Sequence, residues 1–524
     1  MGTCNKFYLY LFLLFFWSIG ISHAKKNDYK LNTINKVLVR LYQAASIPQI
    51  YKPKISLVKS SSIGAVYVPG EHLIRVEEKL YNICREFKKD SLNALAFVIA
   101  HELSHAIQKH KKSNNESSNF LMTNDVGTHK YLEEREADLQ GVFICYLAGY
   151  KPSAVIKSLI NSIYEKYNLN RAHLNGYPPK SERIKSSETV LEMANELIQL
   201  YECANILVMH TEYTLAELCY RYILNRYQGA EIYNNLGLVN VYLATQLYDE
   251  EKDIYAYPFE LDVNSNLSKL QKARGPISEE NKVIRMRYLD RGIELFKKAL
   301  EINPEYSIPA INLICALNLR GEYRDAINFF DKYTKSNKLL EKEKLLKLKM
   351  AVGISYALQQ NSQSILYFNS IIKSSVSNLK IQAYYNIDVF NKCAFNAASS
   401  LPCTQLETVQ PPEDVFLSLN DIKVKNCVLD ERNGGFRFLY QIDDQLIRYQ
   451  FQAPTGPVLS IRRQMERSVK KTNFKSLMDQ AIGNPNLFYA QTTYGNYLYC
   501  KQTELVYLLD RKGDLKEKIT TKQF

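Results

Sequence analysis

Ser91-Leu92-Asn93-Ala94-Leu95-Ala96-Phe97-Val98-Ile99-Ala100-His101-Glu102-Leu103-Ser104-His105-Ala106-Ile107-Gln108-Lys109 reads as one amphipathic helix. Leu92, Leu95, Ile99, Leu103, Ala106 and Ile107 recur at helical spacing, and Asp90, just ahead, suits an N-cap. Within it lies His101-Glu102-Leu103-Ser104-His105, an HExxH motif. Two histidines four apart project from one helix face about one turn apart, which is the spacing that grips one zinc ion. Glu102 sits beside them. It can take the proton of a metal-bound water, whose pKa zinc lowers, as that water attacks a peptide carbonyl. A surface helix with two incidental histidines is the competing reading. The apolar run Leu95–Ala100 argues against it, because a polar triplet on a core helix is costly unless it is paired or binds a metal.

Downstream, Glu133-Glu134-Arg135-Glu136-Ala137-Asp138-Leu139-Gln140-Gly141 opens a second helix that runs to about Ala148-Gly149. Glu134 and Asp138 are four apart and share a face. Glu134 can be a third zinc ligand, and Asp138 can hold a zinc histidine through its free ring N–H, as metal-bound imidazoles require. Alone, the stretch would read as a solvated helix start, where acidic residues are favoured electrostatically. With HExxH upstream the metal reading prevails: one Zn2+ per chain, held by His101, His105 and Glu134.

HELSH followed by ExEADxxG resembles the zinc metallopeptidases related to the prenyl-protein protease, the HtpX, Oma and BepA group of peptidase family M48. The resemblance covers about residues 60–185. It implies that the first Glu of ExEAD, Glu134 rather than Glu136, is the third ligand and that Asp138 contacts His101. Ala65-Val66-Tyr67-Val68-Pro69-Gly70 followed by Leu73-Ile74-Arg75-Val76 is similar to the family's hairpin before the active-site helix. The edge strand of that hairpin would pair with the main chain of an extended substrate. Two departures stand out. The stretch from His105 to Glu134 is short and polar where many members carry extra apolar helices. The family's His-Pro segment before a Ser/Glu-Arg-Ile run reads Tyr177-Pro178-Pro179-Lys180-Ser181-Glu182-Arg183-Ile184 here. Tyr177 therefore stands as a candidate hydrogen-bond donor to a developing oxyanion, with a packing role as the alternative. His129 and His173 are read as ordinary polar residues.

Working outward, residues 1–24 have a signal-peptide layout: Lys6, an apolar run from Phe7 to Ile21, then Ser22-His23-Ala24. An uncleaved anchor is the alternative. Residues 25–200 form the expected metallopeptidase domain. From 201 to 391 helix follows helix. There Gly292 and Phe296 recur as Ala326 and Phe330, 34 residues on, and as Ser364 and Phe368 after 38 more. With Pro304 at a repeat-ending turn, this spacing resembles tetratricopeptide (TPR) repeats, whose stacked helix pairs leave a groove for a protein partner. A generic helical bundle is the alternative. Tyr248 to Glu280 reads as an inserted loop. Residues 392–412 form a Pro- and Ser-containing linker. Residues 413–524 alternate as strands at Val415–Leu419, Ile422–Leu429, Phe436–Ile442 and Leu446–Phe451, with a further hairpin at Leu487–Thr492 and Tyr497–Lys501. The expected fold class is α+β and multidomain: a mainly helical zincin-type domain, an α-solenoid of TPR-like pairs, and a small antiparallel β-rich C-terminal domain.

The chain of 524 residues is long enough for two to four domains. Its formal charge of +13 is spread along the sequence, so a solvated basic surface is one reading and attraction to an anionic membrane surface the other. No nucleic-acid module is present, which excludes nucleic acid as the expected partner. Cys145, Cys203, Cys219 and Cys315 fall in helical patterns and read as small core residues, whereas Cys393, Cys403, Cys427 and Cys500 leave room for one or two disulfides. The expectation is an exported, periplasmic zinc endopeptidase acting on misfolded or unassembled envelope polypeptides. The rival is a non-enzymatic assembly factor or chaperone whose zinc is structural.

Overall fold

The computed structural model describes residues 29–45, 52–59, 64–108, 118–119, 128–169, 179–247, 249, 251–261, 279–374, 377–391, 425–430, 435–442, 446–465, 487–491, 496–500, 505–509 and 515–523. The chain is mainly helical, with an antiparallel sheet near its C-terminus, and divides into two compact units, Met1–Ile198 and Gln199–Phe524. No helix among the described residues is long and apolar enough to cross a membrane. Residues 1–28, the linker and Val415–Leu419 lie outside the described residues.

The first unit starts with helix α1 (residues 29–44), followed by strands β1 (Lys54–Val58), β2 (Ala65–Val68) and β3 (Leu73–Glu77). The hairpin closes through a 3-10 turn at Pro69–Glu71, after which His72 takes a left-handed φ of 47°. Its ring Nδ1 lies 2.9 Å from the Tyr67 hydroxyl. The sheet order is β1-β3-β2-β4, with β1 parallel to β3 and β2 antiparallel to it. The two-residue strand β4 (Ser118–Asn119) pairs with Val66 and Tyr67. This corrects one expectation in part: Val66 and Tyr67 are already paired with β4, so at those two residues β2 offers no open edge to a substrate strand.

Helices α2 (Glu78–Arg85), α3 (Ser91–Gln108), α4 (Thr128–Leu147), α5 (Ile156–Lys166) and α6 (Lys180–Met209) complete the unit, the last running into the second unit. Helix α3 is central, packed against β2, β3, α2, α4 and α5. Leu95 to Ala100 are all buried, as their unbroken apolar run requires, while Leu92 is exposed. Asp90 does not cap α3. It lies in a 3-10 turn that continues into the helix, and its carboxylate accepts from the Asn93 side chain. Helix α4 begins five residues before the expected Glu133.

The second unit continues with α7 (Tyr213–Leu224), α8 (Ala230–Thr245), α9 (Glu279–Ile302), α10 (Ser307–Arg320), α11 (Tyr323–Ser336), α12 (Lys342–Leu358), α13 (Gln363–Ile372) and α14 (Ser377–Phe390). The recurring positions Gly292, Phe296, Ala326, Phe330, Ser364 and Phe368 are all buried. A Cβ at Gly237 would lie 2.8 Å from the Phe296 ring, and one at Gly353 would lie 2.8 Å from Phe368, so close helix contact at two of these pairs depends on glycine. Cys145, Cys203, Cys219 and Cys315 are buried thiols, as their helical setting predicts.

The C-terminal sheet has eight strands in the order β5-β6-β7-β8-β12-β11-β10-β9, every pairing antiparallel. They are β5 (Lys425–Asp430), β6 (Phe436–Ile442), β7 (Leu446–Ala453), β8 (Gly456–Met465), β9 (Leu487–Gln491), β10 (Asn496–Cys500), β11 (Leu505–Leu509) and β12 (Leu515–Gln523). Inward-facing Phe438, Tyr440, Tyr449, Phe451, Leu459 and Ile461 form its buried face. Arg463 donates to Glu517 at 2.9 Å and is ion-paired with Glu202 on α6 within the same unit.

Candidate metal centre

Helix α3 carries His101, Glu102 and His105 on its buried length, and α4 presents Glu134 and Asp138 to them from the opposite side. The two helices come unusually close because Gly141 has no side chain. A Cβ there would lie 3.1 Å from the His101 backbone nitrogen and 3.2 Å from the Ala100 carbonyl carbon. This approach brings three donor atoms together. His101 Nε2 and His105 Nε2 are 3.1 Å apart, His101 Nε2 is 3.2 Å from Glu134 Oε2, and His105 Nε2 is 3.5 Å from Glu134 Oε1. Among the described residues this is the one cluster of histidine, cysteine or acidic side chains suited to a metal ion.

A tetrahedral zinc ion bound at about 2.0–2.1 Å requires ligand atoms about 3.3–3.4 Å from one another, and the three observed separations bracket that value. The donor set, two imidazoles and a carboxylate, is also the kind that zinc prefers. His101 Nδ1 lies 2.8 Å from Asp138 Oδ1. A carboxylate there holds a proton on Nδ1, so that a metal ion replacing the Nε2 proton would meet a lone pair aimed at the cluster. The residues present therefore fit a zinc ion.

Asp138 is itself gripped from behind. Arg183, near the start of α6, donates Nη1 to Oδ2 at 2.5 Å and Nη2 to Oδ1 at 3.1 Å. Arg183 belongs to the Tyr177–Ile184 run, where no local pattern ties it to Asp138. The bidentate pair holds the carboxylate plane, and through it the ring of His101.

Glu102 is fully buried. Its Oε2 accepts the Tyr67 backbone N–H at 2.7 Å, which ties it to strand β2, and its Oε1 has no hydrogen-bond partner among the described residues. Burial raises its pKa to about 8. Burial opposes charge on His101, but hydrogen bonds and charge from Asp138 and Glu134 outweigh that and raise its pKa to about 10. Burial lowers the pKa of His105. Glu134 is held well below the ordinary carboxylate range despite its burial, because both imidazoles hydrogen-bond to it. Asp138 is likewise held low against its burial by the Arg183 charge and the His101 hydrogen bond. Carboxylates thus surround the two imidazoles and favour positive charge at the point where the three donors converge.

Residues 28–129 match the model of peptidase family M48. The chain carries an M48 peptidase domain. The match takes in HExxH and ends ahead of Glu134, so the third donor of the M48 domain stands on geometry. A search of curated proteins finds no match to the chain. Tyr177 and His173 lie outside the described residues, and the side chain of His129 does as well.

Proposed function

We propose that the M48 domain is a zinc-dependent endopeptidase in which His101, His105 and Glu134 hold the metal, Asp138 orients His101, and Glu102 is the general base. One observation carries the reading: three donors from two helices converge at zinc spacing beside a buried carboxylate that is not one of the three. A bound zinc ion supplies Lewis-acid polarisation and a water of lowered pKa. The chain's own residues do the rest. The Tyr67 N–H fixes Glu102 Oε2, leaving Oε1 to accept the proton of the attacking water and later to return it to the leaving amine.

The substrate we infer is polypeptide, drawn from exported proteins that have misfolded or failed to assemble, with a periplasmic setting resting on the signal-like residues 1–24. The helical array of the second unit is read as TPR-like and as a site for a protein segment, and the net charge of +13 is read as a solvated basic surface, with attraction to an anionic membrane surface as the alternative. Glu102→Gln tests the mechanism. Casein hydrolysis should fall by about 10²–10⁴-fold while zinc content stays at the wild-type level. Undiminished proteolysis would reject Glu102 as the base. Full complementation of a deletion strain by Glu102→Gln would instead favour a non-enzymatic assembly factor with a structural metal.

A further inference from the structure

Between α8 and α9 the chain leaves the helical array and returns, and within that excursion Asp253 to Leu261 are buried at all but Ile254. It is neither helix nor strand from Ala256 onward. Its backbone groups are met by side chains. Asn386 on α14 accepts from the Ala256 N–H at 2.8 Å and donates to the Ala256 carbonyl at 3.2 Å. Asn312 on α10 does the same at Glu260, accepting from its N–H at 2.9 Å and donating to its carbonyl at 2.7 Å. Asn234 on α8 supports this second clasp by accepting from Asn312 at 2.8 Å. The Tyr385 hydroxyl donates to the Ile254 carbonyl at 2.9 Å. An asparagine amide carries both N–H donors and an acceptor oxygen, so each clasp satisfies both polar groups of one residue whatever its side chain is.

Side-chain recognition is added at both ends by charge. Asp253 receives a bidentate pair from Arg285, both bonds at 2.8 Å, and all partners are buried. Glu260, fully buried, is ion-paired to Lys344 at 2.8 Å and to Lys347. Between them the Tyr257 and Phe259 rings pack at 5.5 Å, with Tyr242 of α8 edge-on to Phe259 at 5.8 Å. Buried ion pairs contribute little net stability, because desolvation offsets their attraction, but they discriminate strongly against a wrong partner. Main-chain clasps with charged anchors at each end are the features of a peptide-recognition site.

We propose that helices α8 to α14 form a binding site for an acidic, aromatic polypeptide segment, and that Asp253–Leu261 occupies it as a resident ligand in cis. The chemistry selected is a carboxylate at the Arg285 end, two aromatic residues separated by one position, and a glutamate immediately after, seven residues beyond the first carboxylate. A partner or client with that pattern enters by displacing the resident segment. Every residue involved lies in the second unit, so the inference stands apart from the peptidase reading.

Two measurements on the full chain test it. In hydrogen exchange followed by mass spectrometry, peptides spanning 253–261 should exchange at least about 100-fold faster than those from the centre of α10, because the segment opens without the array unfolding. Exchange of both only on global unfolding makes the segment a fixed part of the core and overturns the proposal. In fluorescence anisotropy, a labelled peptide with the sequence of residues 251–262 should bind the Asp253→Asn/Glu260→Gln chain at least about tenfold tighter than wild type. Adding Lys347→Met should remove that gain, and a scrambled peptide should not bind. A folded double variant that binds the peptide no better than wild type, or binds the scrambled peptide equally, also overturns it. If the double variant does not fold, the exchange measurement on the wild-type chain decides.

Discussion

Gly141→Ala is a one-methyl change with a sign that the structure fixes. In an unconstrained helix interior, alanine is more stable than glycine by about 1 kcal/mol. Here the added Cβ would sit 3.1 Å from the His101 nitrogen, 3.2 Å from the Ala100 carbonyl carbon and 3.3 Å from the His101 Cα, all backbone atoms of α3. Ordinary contact begins near 3.4 Å, so α4 must retreat by a few tenths of an ångström. Overpacking of this kind costs about 1–3 kcal/mol, enough to cancel or reverse the helical gain. The same retreat draws Asp138 and Glu134 away from His101, and metal sites hold their distances to within about 0.2 Å. Zinc affinity should fall at least about tenfold, comparable to the loss of an outer-shell partner. Competition with a chromophoric chelator reads the affinity, and urea unfolding with and without zinc reads the stability. A Gly141→Ala chain that is more stable than wild type and binds zinc equally well would show that the close helix approach does not shape the site.

Three further outcomes are expected. Asp138→Asn keeps the size of the side chain but loses the charge that fixes the His101 tautomer, so zinc affinity should drop by about 10–100-fold; an unchanged affinity by chelator competition would remove Asp138 from the site. Arg183→Met leaves Asp138 buried without its guanidinium and should cost about 3–5 kcal/mol in stability, whereas a loss below about 1 kcal/mol in urea unfolding would make the pair dispensable. His210, buried at the end of α6, has its pKa lowered to about 4 by burial. The unfolded chain then takes up the proton first, so stability is complete above pH 6.5 and is lost as pH falls toward 4, by about 2 kcal/mol at pH 5. His210→Gln should flatten that fall in urea titrations at pH 7 and 5, and an equal fall in both chains would assign it to other groups.

Each half of the metal cluster was legible because helical periodicity is local information, whereas joining the two halves rested on the HExxH motif and the family resemblance. Four-residue spacing placed His101 with His105, and Glu134 with Asp138, before any coordinates. The buried repeat positions from Gly292 to Phe368 were readable for the same reason. The hairpin at Ala65–Val76 also emerged from local alternation, but the pairing of β4 with β2 did not, since two residues carry no pattern. In the C-terminal sheet, β6 and β7 were visible as alternating runs. The insertion of β12 between β8 and β11 joins strands distant in sequence, and no local rule encodes that register. Arg183 escaped because its partner lies 45 residues away. The stretch Asp253–Leu261 read as an inserted loop because its backbone bonds go to asparagines on other helices, a partnership that exists only once the array has formed.

The central claim is tested most directly by counting metal. The account predicts one zinc per wild-type chain by mass spectrometry of the purified, exhaustively dialysed protein, and near-complete loss of that zinc in a folded Glu134→Ala chain. A metal-free wild-type protein, or zinc retained undiminished without the Glu134 carboxylate, would contradict it.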